Sequence, residues 1–172
     1  MKIAIIGTGN LGCSIAKGLI NANAITSLYL TKRNLDTIKE FEGYQNVILT
    51  TDNKKAVQNS DILIFAVQPS HLESIVGENQ YVIRAMPNTA IAVGKSMTCI
   101  CSNEKGNERI KIAEAIFNRL GTSIVIPENQ MQAATVVCAS GIAFWMRLMR
   151  ATTQAAIQLG FDAHEAQKLA MY

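Results

Sequence analysis

A short apolar run that stops at a cluster of glycines constrains this chain more than any other stretch. Lys2-Ile3-Ala4-Ile5-Ile6 leads into Gly7-Thr8-Gly9-Asn10-Leu11-Gly12, and Ile15, Ala16, Leu19 and Ile20 then recur at helical spacing. A buried strand, a glycine turn and an amphipathic helix, in that order, make half of a βαβ unit. The three glycines play different parts. Gly7 permits the tight turn, Gly9 leaves the backbone open to a pyrophosphate, and Gly12 lets the helix lie close to the strand. The helix then aims free N–H groups and a positive dipole end at the phosphates. The pattern points to a bound dinucleotide; the alternative is a glycine turn of purely structural use.

Composition narrows the setting. The 172 residues are 49% hydrophobic and 17% charged, as in soluble globular proteins. A chain of this length buries roughly 70% of its unfolded surface and needs neither disulfide nor metal staples. A net charge of +3, with Lys and Arg scattered, argues against nucleic acid as a partner. No apolar run is expected to reach membrane length, and the amino terminus has no separate signal-peptide pattern, so neither a membrane nor secretion is expected. Cys13, Cys99, Cys101 and Cys138 lack zinc-ligand spacing, and neither His71 nor His164 sits in a metalloprotease motif. Reduced, structural thiols in a cytoplasmic protein without a metal are expected. Cys99 and Cys101 would share one face of a strand.

Along the chain, Ser27–Thr31 reads as the second strand, with Lys32-Arg33-Asn34 after it. An NAD site usually has an acidic residue here for the ribose 2′-hydroxyl, but the nearest is Asp36. Thr31, Lys32 and Arg33 suit a 2′-phosphate instead, so NADP (NADPH) is expected over NAD; a merely solvated turn is the alternative. Asn34 is placed to cap a short helix through Phe41, and Asp52 or Asn53 another through Gln58, with a strand at 46–50 between them. Asp61 to Val67 is apolar almost throughout, as in a strand covered on both faces. Val67, Gln68 and Pro69 follow at its carboxyl end, where ligands of such sheets lie, although proline also simply stops a strand. Further strands are expected at 81–85, 96–100 and 123–126, and a helix over 110–120 ended by Gly121. Near Pro127 the pattern changes to one long helix or two, expected to be largely buried; Gly160 ends it and Asp162 caps a last helix.

Together these residues resemble the pyrroline-5-carboxylate reductase family. The matching pieces are Ile5 to Gly12, Asp52-Asn53, Asp61 through Pro69, Ile83-Arg84-Ala85-Met86-Pro87-Asn88-Thr89, and Ser140-Gly141. The glycine motif is common to many dehydrogenases; the R-x-M-P-N-T string is much more specific. The resemblance implies an α/β fold with a Rossmann-like parallel sheet over residues 1–127. Residues 128–172 would begin an all-α dimerisation and substrate domain. It implies hydride transfer from C4 of NADPH to the C=N carbon of 1-pyrroline-5-carboxylate, giving L-proline. Gly7, Gly9, Asn10 and Leu11, with Gly12 behind them, would meet the pyrophosphate, and Thr31 and Arg33 the adenosine ribose and its phosphate. Asn53, Ala66, Val67 and Pro69 would line the ribose side, and Met86, Pro87 and Asn88 the nicotinamide. A homo-oligomer built on the helical region is implied as well.

Three departures qualify the resemblance. Tyr81 follows Pro69 more closely than in the family, which points to a deletion between His71 and Gly77, or to a stretch of a longer protein that is missing from this chain. Ser140-Gly141 is followed by Ile142 rather than proline. The family's later helices, with the loop that supplies the proposed acid, lie beyond Tyr172, so no catalytic acid is named and the activity of the chain as it stands is left open. Two alternatives are another NADP-dependent dehydrogenase and a non-catalytic dinucleotide-binding module. A hydroxyacid dehydrogenase would call for a lysine on the first interdomain helix, and none lies between Glu128 and Lys168. Phe144 to Met149 reads as core or subunit interface rather than substrate pocket.

Overall fold

A computed structural model describes residues 1–67 and 80–172. They form two compact units, Met1–Glu128 and Asn129–Tyr172. In the first unit, β1 (Lys2–Ile6) lies inside a four-stranded parallel sheet with β2 (Ser27–Thr31), β3 (Val47–Thr50) and β4 (Ile62–Phe65), in the order β3-β2-β1-β4. The register sets Ile6 level with Thr31 and Phe65, and Thr31 level with Thr50. The carboxyl ends of the strands therefore make one rim. Helix α1 (Asn10–Asn21) turns Ile15, Ala16 and Leu19 onto the sheet, where they join Ile3, Ile5, Leu28 and Leu30 in the main core. The 3.6-residue spacing read from the sequence is what brings those three side chains to one face.

A second sheet follows, of β5 (Ile83–Met86), β6 (Ser96–Ser102) and β7 (Gly121–Val125), with β6 in the middle. β5 is antiparallel to β6, and β6 is parallel to β7 through helix α3 (Ile110–Phe117). Cys99 and Cys101 are both buried, but so is Ile100 between them, because β6 is covered on both faces. The short turn at Thr89–Val93 packs on α1 so closely that a Cβ on Gly18 would lie 2.6 Å from the Ile91 carbonyl oxygen.

The caps are local chemistry. Asn34 accepts from the Asp36 N–H at the head of a 3-10 stretch, Leu35–Phe41. Asp52, not Asn53, caps α2 (Asn53–Gln58) by accepting from Lys55 N–H at 3.1 Å.

One expectation holds in part and another needs correction. β4 is covered on both faces, but incompletely: Ile62 and Ile64 pack against the main core and Leu63 and Phe65 against a second cluster, and all four stay half-buried. The helical region is not largely buried. It runs as α4 (Met131–Ala134), a π-helical turn (Thr135–Ser140), α5 (Gly141–Gln158) and α6 (Ala163–Met171). No residue of α5 is buried, and Phe144 and Trp145 are both 67% exposed. Within this unit α5 has one companion helix of nine residues, which is too little surface to enclose it.

Candidate functional site

The glycine turn stands on the rim. Gly7 has φ +89°, a left-handed conformation open to glycine at no steric cost, and a Cβ there would lie 2.6 Å from Val67 Cγ1. Gly12 is buried; its Cβ would come within 2.8 Å of the Gly7 carbonyl oxygen and 3.3 Å of Ile5 Cγ2, so its work is packing helix against turn. Gly9 differs from both. A Cβ there would meet nothing within 4 Å, and Gly9, Asn10 and Leu11 are all exposed. Gly9 is the N-cap of α1, with no side-chain cap and no acidic residue in the first turn. The arrangement is an open, electropositive helix start on bare backbone, which suits an anionic group.

The end of β2 is tied to this turn. Thr31 is buried: its carbonyl accepts from Thr8 N–H at 2.9 Å and its hydroxyl from Gly7 N–H at 3.4 Å. The side chain expected at the ribose thus holds the glycine turn against β2. Thr8 is buried beside it, and its hydroxyl has no partner among the described residues. Arg33 is exposed two residues on, and no carboxylate among the described residues pairs with it. Lys32 is half-buried; burial pushes the Cys13 thiol up, while the Lys32 charge pulls it down, which places that ammonium near the first turn of α1.

Ala66 and Val67 are half-buried beside Gly7, and Ala66 N–H donates to the Ile6 carbonyl at 2.9 Å. Asn53 is exposed at the start of α2, past the end of β3. Pro69, with Gln68 and the expected junction after His71, lies outside the described residues. Met86 and Asn88 are carried by the second sheet. Asn88 is buried; its amide oxygen accepts from Ala90 N–H at 3.0 Å and its own N–H donates to Ser96 Oγ at 3.1 Å. Its carbonyl end therefore caps the Thr89–Val93 turn, and Ser96 is a support that sequence reading missed.

A second missed cluster joins Arg84, Cys101 and Glu128. Arg84 and Cys101 are cross-strand neighbours. The Cys101 thiol donates to Glu128 Oε2 at 2.6 Å, and the Arg84 guanidinium pairs with Oε1. Burial, then the Glu128 carboxylate, pushes the Cys101 thiol up to about 12, so it stays protonated. Hydrogen bonding from Cys101, then Arg84, holds the Glu128 carboxyl below its usual value. Residues so far apart in the chain leave no local signal. Among the described residues no cluster of His, Cys, Asp and Glu could hold a metal.

A parallel sheet whose first strand feeds a glycine turn and an open helix start defines a protein of the Rossmann class. Residues 2–86 match the family described as NADP oxidoreductase, coenzyme F420-dependent, and residues 128–172 that described as pyrroline-5-carboxylate reductase dimerisation. Pyrroline-5-carboxylate reductase 1 of Dictyostelium discoideum is 37% identical over 213 aligned residues, covering 98% of this chain and 38% of that protein. The solved pyrroline-5-carboxylate reductase of Coxiella burnetii superposes with a TM-score of 0.85 at 27% identity, covering 99% of this chain and 75% of that one. The NADP-bound pyrroline carboxylate reductase of Plasmodium falciparum gives 0.83 at 22% identity, over 99% and 74%. The chain belongs to the pyrroline-5-carboxylate reductase family.

One expectation about membranes also changes. The stretch Glu128–Gln158 is long and apolar enough, by length and composition alone, to cross a bilayer. Arg147 and Arg150 lie within it. Each would cost about 2.5–3.5 kcal/mol near the bilayer centre, which weakens that reading.

Proposed function

We propose that this chain binds NADPH and carries the hydride-transfer part of a reductase that converts 1-pyrroline-5-carboxylate to L-proline. The open space in front of Gly9 at the start of α1 carries the proposal. Held there, NADPH would supply the hydride for the carbon of the C=N bond, protonated at its nitrogen. The chain's own residues bind and orient. Gly7, Gly9, Asn10 and Leu11 take the pyrophosphate, with Gly12 holding the helix behind them. Arg33 takes the 2′-phosphate, and Thr31 fixes the turn beside it. Asn53, Ala66, Val67 and Pro69 line the ribose side, and Met86 and Asn88 face the nicotinamide. The missing acidic residue after β2 supports NADPH over NADH.

Residues 1–127 are the dinucleotide-binding domain in this proposal and 128–172 the start of a helical dimerisation and substrate domain. The exposed apolar face of α5 supports a homo-oligomer, and the reading of the cysteines as reduced thiols a cytoplasmic setting. Fluorescence titration with NADPH, followed by addition of 1-pyrroline-5-carboxylate, tests the reading. Binding with turnover is the expected result. Binding without turnover favours a non-catalytic dinucleotide module, and no binding of NADPH or NADH removes both.

A further inference from the structure

Arg84, Cys101 and Glu128 have no part in the proposed cofactor site, yet Arg84 sits on the strand that leads into it. On β5, Ile83 and Ala85 pack against the main core, so Arg84 and Met86 share the opposite face. The antiparallel register sets Arg84 against Cys101 and Met86 against Cys99. Glu128 ties the two strands together on this face. Its Oε2 accepts from the Cys101 thiol at 2.6 Å, and its Oε1 from the Arg84 guanidinium. Cys101 is buried and its thiol stays protonated, which keeps it a donor. The carboxylate is therefore held from β6, and it holds the Arg84 side chain in turn.

A second anchor stands at Asn88. Its N–H donates to the Ser96 hydroxyl at 3.1 Å, and that hydroxyl lies 3.1 Å from Thr98 Oγ1. Ser96 and Thr98 are both buried. Both anchors return to β6, one near each end of it. Between them run Ala85, Met86 and Pro87, and Pro87 has no N–H with which to extend a ladder. The Met86-Pro87 step is thus set from its two sides, by Arg84 before it and Asn88 after it. We propose that Glu128, supported by Cys101, is a positioning residue for the nicotinamide end of NADPH: through Arg84 it fixes where Met86 and Asn88 stand beyond β5. This rests on the cofactor reading given above. Glu128 itself touches no part of the cofactor in this role. The adenosine end belongs to the glycine turn and Arg33, on the other sheet, so the two ends of one ligand report separately on one variant.

Glu128→Gln in the full chain tests the proposal, with Arg84→Gln breaking the same tie from its other side. Both side chains are more than half exposed, so the fold is expected to survive either change. The emission of NADPH at saturation reports the surroundings of the nicotinamide, and titration with adenosine 2′,5′-bisphosphate reports the adenosine end alone. In each variant the saturated emission is expected to move toward that of free NADPH. NADPH should bind about threefold more weakly, and adenosine 2′,5′-bisphosphate as before. The double variant should be no worse than either single one, because both act through one tie. Arg84→Lys, which keeps a charged contact, should restore part of the emission. Saturated emission unchanged in both variants overturns the proposal. Equal losses for the two ligands also overturn it, since the tie would then serve the fold as a whole. Should one variant fail to fold, the other carries the test. No binding of NADPH by the unaltered chain removes the cofactor reading and this proposal with it; binding that neither variant alters removes this proposal alone.

Discussion

The two units use the same kinds of apolar residue and treat them in opposite ways. In Met1–Glu128, Ile3, Ile5, Leu19, Leu28 and Leu30 are wholly buried between strands and α1. In Asn129–Tyr172, α5 buries nothing, and Met146 and Leu148 stay 64% and 58% exposed. Hydropathy alone does not separate the two cases. Burial requires a second surface; the first unit supplies it broadly, whereas the second buries only Met131 and Ala166. What the first unit leaves open is bare backbone at Gly9, which suits a polar guest; what the second leaves open is a greasy helix face, which suits another protein surface.

The sharpest way to break this contrast is a pair of truncations. Leu30→Ala should lower stability by about 2–5 kcal/mol in urea unfolding, through the cavity it leaves. Leu148→Ala should change the stability of dilute protein by less than about 0.5 kcal/mol and act instead on self-association, read by sedimentation. Equal losses of stability would mean that the helical unit has an internal core of its own. Next in size is Gly9→Val. It should leave the unfolding midpoint in place and weaken NADPH at least about tenfold, about 1.4 kcal/mol, in a fluorescence titration. A stability loss matching the binding loss would make Gly9 a fold residue like Gly7.

Arg33→Ala should cost NADPH about 1 kcal/mol and leave NADH unchanged, because one exposed charge-assisted contact to a 2′-phosphate is removed. A parallel loss for both nucleotides would move Arg33 away from that phosphate. The smallest effect is on pH. Backbone N–H groups of Glu165, then His164, hold the Asp162 carboxyl below its usual value. A carboxylate depressed in the folded state supports α6 fully above the unfolded value of about 3.9, and that support is lost as pH falls through the lower folded value. Helicity followed by circular dichroism should therefore be lower in Asp162→Ala than in the parent chain at pH 5, and the two should converge as the pH falls to 2.

What could be read from the sequence was whatever is written within a few neighbouring residues. The β1, glycine turn and α1 succession is of this kind, as are the Asn34, Asp52 and Asp162 caps. The three glycines of the turn could be told apart because their roles follow from spacing. Pairing between distant strands could not be read in the same way. Nothing near β5 says that it runs antiparallel to β6, and nothing near β4 says that it stands at the end of its sheet among the described residues. Thr31 looked like a ligand contact because it ends β2; its burial under Gly7 and Thr8 depends on contacts more than twenty residues back in the chain, as the separation of 24 between Gly7 and Thr31 makes plain. Cys101 and Glu128 are 27 residues apart, and Arg84 and Glu128 are 44.

The π-helical turn at Thr135–Ser140 has a consequence for the aromatic face that follows it. A π turn holds one residue more than the α-helical path beside it. Each residue advances an α-helix by about 100°, so the extra one re-phases everything downstream. Phe144 and Trp145 therefore point where they do because of a single surplus residue before Gly141. Loss of one residue from that turn would leave the composition of α5 untouched and swing its aromatic pair about a quarter-turn around the helix axis. The azimuth of the adhesive face is thus set by a count of residues in a stretch that contributes no buried side chain.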